Sequence, residues 1–237
     1  MGGGQDWGAR RAAQYDRRVR ELFPAYDELH ARALALLRQR VVAGAEILVI
    51  GAGTGAETIG LAGAGFRVTA LDPSGAMLDI GRAREGVGGI QFVEGTMDAL
   101  PEAPRFAAAV SLLVMHFLRD DGAKERYLRQ AAARCVAGAT LVLADLVGEP
   151  GTRAFERQFI EWLLPLAENS TPAELERDPA KLLKDVHFVM ESRVGELLSI
   201  CGWEHEGPIW SSGWLSMWCP HLTGESRPGG SAACGGT

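Results

Sequence analysis

Four cysteines stand among the 237 residues, and Cys135, Cys201, Cys219 and Cys234 show no CxxC or CxxxC spacing. No disulfide framework or cysteine metal centre is legible, and buried reduced thiols are the expectation. The five histidines form no HxxxH pair, so no metal site is expected. Runs of five or more like charges are missing, and the formal net charge is -6. That balance leaves no electrostatic footprint for polyanions, so a nucleic-acid partner is not expected. Apolar stretches such as Ala107 to Leu118 are too short to cross a bilayer, and the N-terminus lacks a signal-peptide core. Asp6 stands where a myristoylation signal wants Ser or Thr, and the terminal CGGT lacks the aliphatic residues of a prenylation box. The expectation is a cytoplasmic protein without membrane association, a monomer or homodimer.

Apolar residues make up 47% of the chain, enough for a sizeable core. Residues 9 to 42 read as two helices broken at Pro24 and ended by Gly44, an N-terminal helical cap over 1–44. Strand and helix signals then alternate: strand 46–50, helix 54–64, strand 67–71, helix 74–84, strand 90–94, strand 107–112, helix 121–136 and strand 140–146. Such alternation means crossover connections and a parallel sheet. Asp120 or Asp121 can cap the helix at 121–136. Residues 147–190, with FERQFIEWLLPLA and a Pro-interrupted charged segment, exceed a plain connection and read as an inserted helical lid. A helix near 192–201 and two aromatic strands, 204–210 and 214–219, joined by SerSerGly, close a main domain spanning 45–222. Residues 223–237 read as a flexible tail.

The segment ILVIGAGTGAETIGLA passes from an apolar strand through a glycine turn into a helix. Glycines let a backbone approach a ligand closely, and a helix N-terminus presents unpaired amides to it. Asp72 ends the next strand, where a carboxylate accepts both hydroxyls of a ribose. Adenosine binding follows whether the ligand is a dinucleotide or another adenosyl compound. Thr54 and Glu57 have capping-box spacing, and an acid in that first turn suits a pyrophosphate poorly. The third strand ends in FVEGTMDAL, placing Thr96, Met97 and Asp98 at its carboxyl end to surround an adenine.

VIGAGTG, VTALDPSGAML, FVEGTMDAL and AAAVSLLVMHFL follow one another in an order and spacing that resembles a class I S-adenosylmethionine-dependent methyltransferase over about residues 10 to 220. The resemblance implies an α/β, Rossmann-like doubly wound sheet of seven strands, order 3-2-1-4-5-7-6 with strand 7 antiparallel. It implies that Gly51, Ala52, Gly53, Thr54 and Gly55 cradle the methionine half of S-adenosylmethionine, the product being S-adenosylhomocysteine. Asp72 holds the ribose, Pro73 and Met77 flank the adenine, Thr96, Met97 and Asp98 surround the base, and Ser111 with Leu112 line the floor. Thr96 departs from the acid common in relatives, and Ala107 from a frequent Asp. YDRRVRELFPAYDELH is similar to the YDxxxRxxxPxY opening of a branch that includes enzymes around tRNA wobble-uridine modification and many small-molecule methyltransferases. By that analogy Tyr15 and Arg20 close over the cofactor, Arg20 pairing its carboxylate.

Methyl transfer from a sulfonium is an in-line displacement with a neutral leaving group, so positioning carries most of the work. His116, at the carboxyl edge after the fourth strand, is the candidate general base, and it equally fits a histidine packed under the next helix. Trp162 and His187 are candidate acceptor contacts in the lid, and Trp210, Trp214 and Trp218 share strand parity if the turn preserves it. The expected function is methyl transfer to a small-molecule acceptor. The alternatives are a tRNA-associated member of the same branch and a binding module without turnover.

Overall fold

The computed structural model describes residues 9–101, 103, 105–169 and 185–224. Helices α1 (Ala9–Leu22) and α2 (Tyr26–Arg40) come first. Then follow β1 (Glu46–Ile50), α3 (Ala56–Gly63), β2 (Arg67–Asp72), α4 (Gly75–Arg82), β3 (Ile90–Glu94), β4 (Phe106–Leu112), α5 (Ala123–Arg134) and β5 (Cys135–Leu146). The C-terminal part holds α6 (Arg153–Asn169), α7 (Glu191–Ile200), and four short strands: β6 (Trp203–Glu204), β7 (Trp210–Ser212), β8 (Leu215–Trp218) and β9 (His221–Leu222).

The sheet runs β3-β2-β1-β4-β5-β8-β7, with β6 and β9 off this path and β9 paired to β5 and β6. Counting only strands on the path, this is the expected order 3-2-1-4-5-7-6. The pairs from β3 through β5 are parallel, and β8 is antiparallel to β5, with Leu143 opposite Trp218 and Leu146 opposite Leu215. Central strands are apolar on both faces because layers cover both sides. Ile47 and Val49 of β1 face a core shared with α2 and α3, whereas Leu48 and Ile50 face one shared with α5 and α7.

Several element ends differ from the sequence reading. Helix α3 begins after Gly55, which takes a left-handed φ of 78° and caps the helix without a side chain, so the Thr54–Glu57 capping box does not form. Helix α5 is preceded by Gly122 in the same left-handed region, and neither Asp120 nor Asp121 caps it; Asp120 instead accepts two hydrogen bonds from Arg193, at 2.9 and 3.2 Å. Strand β5 starts at Cys135, directly after the helix. The short strand expected at 204–210 is two pieces, Trp203–Glu204 and Trp210–Ser212, and the hairpin turn is Gly213–Trp214, since Ser212 pairs with Leu215. Trp214 therefore sits in the turn, outside strand alternation. It joins Trp210 against the α2/α3 core, while Trp218 is buried in the opposite core, so the three tryptophans form no common wall. The tail beyond 224 and the charged segment at 170–184 lie outside the described residues.

Candidate functional site

Four chain turns meet at the carboxyl edge of β1 to β5. The first is the glycine loop. Gly51 has φ 73°, and a Cβ there would lie 2.4 Å from Val114 Cγ2, so only glycine lets the loop after β4 pass beneath it. Gly53 (φ 51°) lies open except for Met77, whose Cε would stand 3.3 Å from an added Cβ. The amides of Gly51 and Ala52 are tied down by Leu71 O at 2.8 and 3.0 Å, which fixes the turn against β2.

Asp72 ends β2 and is 7% exposed. Its Oδ2 accepts the Gly53 amide at 2.8 Å, and its Oδ1 accepts the Ser74 amide at 2.8 Å. Burial holds its pKa above the ordinary carboxylate value, opposed by those two bonds. Each oxygen keeps a second lone pair, the capacity that the two hydroxyls of a ribose require. Ser74 caps α4, accepting from the Met77 amide, and Met77 is buried beside the loop, with exposed Pro73 between Asp72 and Ser74.

After β3, Met97 is buried at the start of a short 3-10 turn. Asp98 is exposed, its Oδ1 accepting from Gln130 Nε2 at 2.9 Å and its Oδ2 from the Thr96 hydroxyl at 3.5 Å. After β4 the backbone is strained: Leu113 has φ 59°, the one positive φ outside glycine among the described residues. Strain of that kind costs on the order of 1–3 kcal/mol and persists where surroundings over-determine it, here through the Leu113 amide bound to Ala144 O at 2.8 Å. Leu112 packs in the α2/α3 core, and the Ser111 hydroxyl turns the other way, 2.6 Å from Tyr127 Oη of α5.

His116 follows, 6% exposed, its Nδ1 2.6 Å from Asp145 Oδ1 at the end of β5. Asp145 also accepts the His116 amide at 3.1 Å and the Leu146 amide at 2.7 Å. Buried Lys124 donates to Met115 O at 2.7 Å, and the Asp145 and Asp120 carboxylates oppose the lowering of its pKa by burial.

The N-terminal helices roof the glycine loop. The Thr54 hydroxyl donates to Asp16 Oδ1 at 2.5 Å, and Arg84 pairs with Asp16 Oδ2, so one carboxylate on α1 holds both the loop and the end of α4. The pKa of the Tyr15 phenol is pushed up by burial and then by Glu57, Asp16 and Asp72. Arg20 donates to Asp27 at 2.9 and 3.1 Å and to Asp16 O at 2.9 Å, and lies over the Tyr26 ring. Glu57 is turned inward, Oε2 3.6 Å from His30 Nδ1. Burial pushes its pKa up to about 8 and that of His30 down to about 4. At neutral pH Glu57 therefore stays mostly protonated. The expectation that its charge would repel a pyrophosphate is corrected by this burial, and the choice of cofactor rests on other residues.

Helix α6 closes over the same edge. The Trp162 indole donates to Leu22 O at 2.5 Å, and Phe155, Phe159, Trp162 and Phe188 surround Trp214 with ring centroids 5.2 to 6.1 Å from it. The His187 amide donates to His116 O at 2.7 Å, and burial, then Arg119 and Lys124, lower the pKa of its imidazole. Asp16, Glu57, His30 and Asp145 went unread as site residues. The available signals were an acid next to Tyr15 and a lone polar residue ending the apolar run LVLAD.

Residues 47–138 match the family model described as a methyltransferase domain. No curated protein matches the chain. Magnesium protoporphyrin IX methyltransferase from Synechocystis PCC 6803, solved with bound S-adenosylhomocysteine, is similar in structure, with a TM-score of 0.68 at 15% identity. That likeness covers 92% of this chain and 98% of the other. S-adenosylmethionine-dependent methyltransferases from Methanosarcina mazei (TM-score 0.60, 18% identity, 80% and 98% covered) and Mesorhizobium loti (TM-score 0.59, 19% identity, 81% and 97% covered) share the fold. Residues 47–138 and the fold of the sheet are thus similar to those of S-adenosylmethionine-dependent methyltransferases. The edge of the sheet would fit S-adenosylmethionine in three respects: positive-φ glycines at the turn, a buried carboxylate with spare lone pairs at the end of β2, and a buried methionine after β3.

Proposed function

We propose that the protein transfers the methyl group of S-adenosylmethionine to a small-molecule acceptor. The observation that carries this reading is Asp72, anchored on both oxygens by the Gly53 and Ser74 amides and so pre-aimed at a ribose beside the glycine loop. In it, Gly51, Ala52, Gly53, Thr54 and Gly55 hold the methionine half, and Asp72 the ribose. Pro73, Met77, Thr96, Met97 and Asp98 frame the adenine. Leu112 and the backbone of Ser111 form the floor. Tyr15 roofs the cofactor. Arg20 would exchange Asp27 for the cofactor carboxylate, a small cost because exposed ion pairs contribute little.

The bound cofactor supplies an electrophilic methyl on a sulfonium. The chain's own residues orient the acceptor in line with it, and orientation of that kind is worth roughly 7–11 kcal/mol of barrier. His116 is placed to accept a proton at the same edge, and Trp162 in α6 closes the acceptor side. The acidic surface balance and the cap-and-lid enclosure favour a small molecule over tRNA.

The test is transfer of labelled methyl from S-adenosylmethionine into either a pool of small metabolites or total tRNA. Label in the low-molecular-weight fraction alone is the expected result. Label in tRNA would replace this reading with the tRNA-associated one, and release of no S-adenosylhomocysteine from a protein that binds the cofactor would leave a binding module.

A further inference from the structure

We infer that His116 and Asp145 act as one proton-accepting dyad and that the acceptor atom is therefore a hydroxyl oxygen. The inference rests on the methyltransferase reading above and deepens it. Asp145 is 1% exposed, accepts the His116 and Leu146 amides, and has Oδ1 2.6 Å from His116 Nδ1. A carboxylate held on two backbone amides cannot turn away, so it fixes the proton of the neutral imidazole on Nδ1. The lone pair is thereby left on Nε2. Lys124 lies within electrostatic reach of the Asp145 carboxylate, anchored to Met115 O one residue before His116. His116 itself is fastened from both sides, by Asp145 through its amide and by the His187 amide through its carbonyl. Both anchors lie on segments that also flank the aromatic cluster: Val147 follows β5 and donates to Trp214 O, and Phe188 packs on Trp214. Asp145 is thus a positioning residue, acting through the imidazole.

A base aligned in this way has a use for some acceptors and none for others. A neutral amine attacks with its own lone pair and sheds its proton afterwards. A carboxylate is already anionic, and a thiol ionises near pH 8.5 without much help. A hydroxyl must lose its proton as the new bond forms, because a phenol ionises only near pH 10 and an aliphatic alcohol far higher. In the step inferred, the oxygen–methyl bond forms as the sulfur–methyl bond breaks. The bonding pair goes to sulfur, giving the neutral thioether, and the hydroxyl proton passes to His116 Nε2. The imidazolium is stabilised by Asp145 and returns its proton to water.

Two measurements test this. The first needs no variant: nitrogen-15 imidazole spectra of the wild-type protein at a pH where the ring is neutral. Protonated Nδ1 and bare Nε2 are expected, with the tautomer mixed or reversed in Asp145→Asn; a wild-type ring protonated on Nε2 would overturn the dyad. The second supplies S-adenosylmethionine carrying a carbon-13 methyl together with a small-molecule extract of the protein's own host cells. The methyl shift of the product should be that of an ether, and label on nitrogen, sulfur, carbon or a carboxylate would overturn the hydroxyl assignment. In the same mixture Asp145→Asn should lose about 10²- to 10⁴-fold in kcat while keeping its affinity for S-adenosylhomocysteine, with Asp145→Glu recovering part of the loss. Loss of cofactor affinity and kcat together, or unchanged kcat, would make Asp145 merely structural. If the wild type binds the cofactor and transfers no label, the methyltransferase reading itself fails and the acceptor class falls with it.

Discussion

At the end of β2 a single carboxylate joins two backbone amides, and its replacement is the sharpest residue-level probe. Asp72→Ala should weaken S-adenosylmethionine binding by about 1–3 kcal/mol, the range for hydrogen bonds to a charged partner. Titration calorimetry on the folded variant reads this directly, and unchanged affinity would move the ribose elsewhere. Glu57 offers a second probe through its raised pKa. A group whose pKa is higher folded than unfolded lends stability that is complete below the unfolded value, near 4.5, and lost as pH rises through about 8. His30 acts in the opposite sense: with its folded pKa lowered to about 4, its contribution is complete above 6.5 and lost as pH falls through about 4. The two effects offset each other between about pH 4.5 and 6.5, so the melting temperature of the cofactor-free protein should decline between about pH 6.5 and 8 and level off above it. Glu57→Gln should flatten that decline, and an equal alkaline decline in the variant would show that another group causes it. The positions of the glycine turn and Asp72 were legible in the sequence because they depend on strand ends and on backbone that only glycine supplies. Glu57 was misread as a cap, since spacing records neighbours along the helix and not the buried His30 that crosses over it.

Among the elements, α6 is tied to α1 by one hydrogen bond from Trp162 to Leu22 O and to the sheet by the rings around Trp214. If this contact shapes the acceptor side, Trp162→Ala should raise the acceptor KM or lower kcat with cofactor affinity nearly intact, because the cofactor contacts lie on the other elements. Steady-state kinetics beside calorimetry separate the outcomes. Normal kinetics with a stability loss of roughly 3–5 kcal/mol, as for a buried aromatic, would make Trp162 a core residue. Helix α1 was expected as a cap, but its fastening through Asp16 to Thr54 and Arg84 joins residues far apart in sequence, which no periodicity records. The strands from β1 to β5 were readable as apolar runs between glycines. The C-terminal strands were not, because β6, β7 and β9 are two or three residues long and a turn at Gly213–Trp214 shifts the alternation on which their facing depends.

For the whole molecule, the central claim is that a Rossmann-like sheet with an adenosine-ready edge serves a sulfonium and not a dinucleotide. The same glycine turn and ribose carboxylate suit both, so the distinction lies in what covers the edge beyond them: the α1–α2 roof latched by Asp16 over the glycine loop, and α6 closing beside it. No helix among the described residues is long and apolar enough to cross a membrane. Calorimetric titration of the full chain with S-adenosylmethionine, S-adenosylhomocysteine and NAD in parallel tests the claim most directly. Saturable binding of the first two at one site, with no heat from NAD, is the predicted result; tight binding of NAD with no response to the other two would contradict it.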